Sequence, residues 1–125
     1  MIQRIQSLYL FLIVLFGSGL LIYSHQSNEA SWVVEFKGYL VTPLGTIFTL
    51  LLFKKRMLQA RFCFVLILIQ MTLVGHYGFN LVQENLYEMT YPALGVSFIN
   101  SILLIFARKA ILKDEALVRS IDRIR

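Results

Sequence analysis

Few residues in this chain are of a type that could do chemistry. Cys63, His25 and His76 are the only thiol and imidazoles. If the stretch around 62–79 is helical, Cys63 and His76 lie about 20 Å apart along one helix, so they cannot meet within one protomer. Haem ligation by two histidines would need a second intramembrane imidazole, and His25 lies in a polar loop. His76 therefore reads as a histidine near a headgroup layer. There is no glycine-rich phosphate loop, no Ser/His/Asp arrangement, and no acid inside any apolar stretch to serve as a proton-coupled carboxylate. No catalytic, metal or cofactor residues are expected. The polar residues that stand out are amides. Gln70 and Asn100 each sit near the middle of an apolar stretch. If those stretches are consecutive antiparallel helices, the two amides share one depth. An amide in hydrocarbon must find a partner, so the pairing Gln70–Asn100 is expected as structural glue. A polar constriction lining a pore is the functional alternative.

The elements that would position these amides are apolar and long. Over 125 residues, 58% are hydrophobic, the mean hydropathy is +0.70 and only 15% are charged. Soluble domains run at roughly 45–50% apolar, and a soluble chain this short could not bury the excess. One domain, 1–125, is expected, with spans at about 7–23, 36–53, 62–79 and 91–107 and a charged amphipathic tail at 108–125. The first stretch reads as an uncleaved signal-anchor span, because no A-x-A-like site follows it and three more apolar stretches do. Pro43 falls early in the second. A helix starting at Thr42 would leave only about 16 Å before Lys54, so the helix is expected to begin earlier and to bend at Pro43. The tail follows the last span with no Gly or Pro between them. Its apolar positions Ala110, Leu117, Ile121 and Ile124 recur at helical spacing, and Glu115 and Arg119 can pair at i, i+4. It suits either a helix resting on the inner leaflet or one docking a partner.

Charge sets the orientation. Arg4, Lys54, Lys55, Arg56, Arg61, Arg108, Lys109, Lys113, Arg119, Arg123 and Arg125 fall on one side, and only Lys37 on the other. Lys/Arg bias marks the cytoplasmic face, so both termini are expected inside. Tyr23, Trp32, Tyr39, Tyr77, Tyr87 and Tyr91 cluster near the opposite boundary, as an interfacial belt does. The net charge of +5 is thus topological, and nucleic acid is not an expected partner.

Three blocks carry a family resemblance. They are the start Met1-Ile2-Gln3-Arg4-Ile5-Gln6, the turn Lys55-Arg56 with Gln59, Arg61 and Cys63, and the ending Lys113-Asp114-Glu115 with Leu117-Val118-Arg119-Ser120, Asp122 and Arg123. The chain resembles the domain of unknown function 4293 family of small bacterial four-span proteins. The resemblance implies a bacterial inner membrane and no assigned activity. All three blocks lie on the basic side. Arg4, Lys55, Arg56, Gln59, Arg61, Asp114, Glu115, Arg119, Asp122 and Arg123 are therefore the candidate partner-binding residues, with Asp114 and Glu115 expected to bridge to Arg4 or Arg61.

The expected fold is an all-α, four-span antiparallel transmembrane bundle with a cytoplasmic amphipathic helical extension. The expected function is a non-enzymatic scaffold or accessory subunit acting through its basic face, in contact with membrane lipid and with a protein partner or further copies of itself. A small oligomeric transporter or channel is the alternative.

Overall fold

A computed structural model describes residues 2–26, 32–83 and 90–124, with side chains for 5–23, 41–83 and 90–124. The described residues form no strand. Four α-helices run in order: α1, Ile2–Gln26; α2, Trp32–Leu51; α3, Arg56–Val82; and α4, Thr90–Ile124. A short 3-10 turn, Leu52–Lys54, joins α2 to α3. Helix α2 begins ten residues before Thr42 and carries Pro43 inside it, as the sequence requires if the element is to have useful length. Helix α3 starts at Arg56 rather than at the first apolar residue, so the basic turn is tighter than expected. Helix α4 runs through the span and the tail as one element of 35 residues, in keeping with the lack of any Gly or Pro after Gly95.

The helices pack in a ring. Each touches the two beside it, α1 with α2 and α4, and α3 with α2 and α4. Neighbours run antiparallel. On α2 and α3, Thr42 meets Gln70, the Gly45 backbone faces Leu66, and Phe48 packs edge-on against Phe62 at 5.2 Å. On α3 and α4, Arg56 meets Asp114 and Phe64 meets Arg108. On α1 and α4, Gln6 meets Ala110 and Tyr9 meets Phe106. Pro43 is buried where α2 crosses α1: a Cβ on Gly17 would lie 3.4 Å from its ring. A proline lacks a backbone donor, and here its ring fills the hollow that glycine leaves.

Two apolar clusters form the core. One contains Leu10, Ile13, Ala60, Cys63, Leu66, Leu104, Ala107 and Ile111. The other, toward the far end, contains Leu20, Tyr77 and Ala93. Most of the larger apolar side chains point outward instead, among them Phe11, Phe64, Leu68, Phe98 and Phe106. An apolar exterior around a partly polar interior suits a lipid solvent, in which hydrophobic burial no longer drives helices together. Three helices contain stretches long and apolar enough to cross a membrane, Ile5–Tyr23, Arg56–Val82 and Thr90–Ile124.

Candidate functional site

The polar interior lies largely at mid-depth. Thr42, Thr46, Thr49, Gln70, Ser97, Asn100 and Ser101 are all buried. Most of the hydroxyls serve their own helix. Thr46 donates to the Thr42 carbonyl at 2.9 Å, Thr49 to that of Gly45 at 2.7 Å, and Ser101 to that of Ser97 at 2.8 Å. These bonds leave small, nearly apolar surfaces for close helix contact.

The amides do not pair as expected. Gln70 accepts a hydrogen bond from the Thr42 hydroxyl at 2.9 Å, while Asn100 Oδ1 is buried without a hydrogen-bond partner. The shared depth is real, since the α3–α4 register set by Arg56–Asp114 and Phe64–Arg108 brings residue 70 level with residues 100 and 101. Depth does not set azimuth, however. The Gln70 side chain turns toward α2, where Thr42 supplies the donor. In the sequence Thr42 stands out only as a possible helix start, and its spacing does not mark it as the partner of Gln70.

At the other level, α3 and α4 are joined at the basic end. Arg56 Nη1 lies 3.2 Å from Asp114 Oδ2, and both side chains are largely buried. Asp114 therefore bridges to Arg56 and not to Arg61, which is exposed. The register explains the difference: Arg56 opens α3 directly opposite Asp114, whereas Arg61 sits more than a turn deeper. The side chain of Arg4 lies outside the described residues. Glu115 pairs with Arg119 at 3.1 Å along the same helix, as the spacing predicts. The Arg108 guanidinium stacks 5.0 Å from the Phe64 ring. Lys55, Asp122 and Arg123 are exposed. Gln59 is not a surface residue: only 5% of it is exposed, because it faces inward on the first turn of α3. It belongs to the bundle's mouth rather than to an outer binding face.

Cys63 is buried in the larger cluster. His76 is exposed, 3.4 Å from the Asn80 amide one turn on. Among the described residues, no three His, Cys, Asp or Glu side chains gather in a way that could hold a metal ion.

The family model described as Domain of unknown function (DUF4293) matches residues 24–124. No curated protein and no solved structure matches the chain.

Proposed function

We infer, on the premise that the chain belongs to the domain of unknown function (DUF4293) family, that it is a non-enzymatic scaffold or accessory subunit of a bacterial inner membrane. In this reading all four helices cross, both termini are cytoplasmic, and the C-terminal tail holds a protein partner. The supporting observation is the length of α4. Helix α3 begins level with Asp114, and Gln6 of α1 is already level with Ala110. Helix α4 continues for about three more turns. Its 35 residues span about 52 Å, well beyond a hydrocarbon core of ~30 Å. With no break at which to fold flat, the tail leaves the membrane along the axis of its span. A helix resting on the leaflet does not fit that path. Leu117, Ile121 and Ile124, at i, i+4 and i+7, are exposed on it, in the pattern by which helices dock partner proteins.

The test replaces Leu117 and Ile121 by Ser in the full-length protein, extracted from membranes in mild detergent. Loss of a stoichiometric co-purifying protein, with the chain's own abundance unchanged, is the expected result. Identical partners before and after would contradict the reading. A second reading, an oligomeric transporter or channel, draws on the unpartnered Asn100 oxygen amid buried Ser97 and Ser101. The commitment of the Ser101 hydroxyl to its own helix favours the scaffold.

A further inference from the structure

At the basic end of the bundle is a cavity of about 150 Å³ lined by Gln6, Ser7, Phe53 and Gln59. Its walls come from α1, the 3-10 turn and the first turn of α3. Gln6 is held in place, since its amide donates to the Ala110 carbonyl at 2.9 Å. Gln59 is different. It is as buried as Gln6, yet its side chain makes no hydrogen bond to any described residue, and it faces the cavity. The amide atoms of Gln59 are not sealed from solvent but open onto the cavity, where a donor with no protein partner is available to a ligand.

The surroundings describe that occupant. Lys54 Nζ lies 5.9 Å from the centroid of the Phe53 ring, which lines the cavity, so a cation stands near its rim. Lys55 is exposed beside it. The carboxylate of Asp114 is committed to Arg56, and neither lysine has an ion-pair partner among the described residues. The unmet demand is thus for an anion with hydrogen-bond acceptors. On the outward face of α1, below Ser7, Leu8, Phe11 and Leu15 are exposed in a row. That row would accompany a hydrocarbon chain descending from the cavity.

We propose that this cavity binds the phosphodiester headgroup of an anionic glycerophospholipid, with Gln59 donating to a phosphate oxygen and Lys54 and Lys55 supplying charge at the rim. The inference rests on the membrane placement above but on no protein partner, so it stands or falls separately from the docking tail. Lysines beside an anionic leaflet attract lipid in any case. What the cavity adds is a fixed hydrogen-bond donor, Gln59, beside those lysines.

The test uses the purified full-length chain in nanodiscs of equal phosphatidylglycerol and phosphatidylcholine, with retained lipid read by native mass spectrometry. The wild-type chain should keep phosphatidylglycerol selectively. Gln59→Met preserves size but removes the donor, and should lower that retention about tenfold, as loss of one hydrogen bond to a charged group does. Lys54→Gln with Lys55→Gln, on exposed residues, should also lower it. Lys113→Gln, a cation on α4 that does not line the cavity, should not. Retention unchanged in both cavity variants would overturn the proposal. So would an equal loss in Lys113→Gln, which would mean general electrostatics. Inorganic phosphate alone, if it displaced the lipid at millimolar concentration, would assign the site to a soluble phosphate and likewise overturn it.

Discussion

Gln70 shows how much a single buried amide can be asked to reveal. Its position in the middle of an apolar stretch demands a partner, and the chain supplies one in the Thr42 hydroxyl. The choice between Thr42 and Asn100 depended on which way the α3 face turned, and spacing along one helix does not contain that angle. A double-mutant cycle between Thr42→Val and Gln70→Leu, read as unfolding free energy in detergent, should give a coupling near 0.6 kcal/mol, the average for such bonds in membranes. The corresponding cycle between Gln70 and Asn100 should give a coupling near zero. Gln59 teaches the complementary lesson. Its place in a basic, family-like turn read as surface, but the first turn of α3 starts early enough to rotate it inward.

At the scale of elements, the helices were legible because apolar runs and polar loops alternate cleanly, and because nothing interrupts residues 96–124 with Gly or Pro. The start of α2 also followed from length, since a helix beginning at Thr42 would have been too short to be useful. Contacts between elements were less legible. Gly17 and Pro43 meet where α1 crosses α2, and neither residue signals the other in sequence. Gly45 likewise lets α2 approach Leu66 closely. The Gly17 contact makes a graded prediction. A single methyl there would sit at ordinary van der Waals distance from the proline ring, so Gly17→Ala should leave stability within about 0.5 kcal/mol. Gly17→Leu must displace α2, and should cost about 1–3 kcal/mol as overpacking does. Thermal unfolding in detergent separates the two. Equal effects would mean that the helices do not meet at this point.

For the whole molecule, charge distribution and helix packing support one another. Eleven cations flank one side of the proposed spans. The two described ion pairs, Arg56–Asp114 and Glu115–Arg119, both lie at that end. The cavity and the projecting tail lie there as well, so every candidate binding feature belongs to one face. The second helix is the critical element. On it depends whether the basic turn after Lys54 lies inside or outside. If only α1, α3 and α4 crossed, that turn would fall on the side opposite Met1, and the cations would no longer share a face. The most direct measurement is therefore labelling of single cysteines by a membrane-impermeant thiol reagent in intact cells, in a Cys63→Ser background. Lys55→Cys should be protected until the membrane is opened, and Asn28→Cys should label from outside. External labelling of Lys55→Cys would contradict the four-span reading, and with it the shared cytoplasmic face on which the proposed function rests.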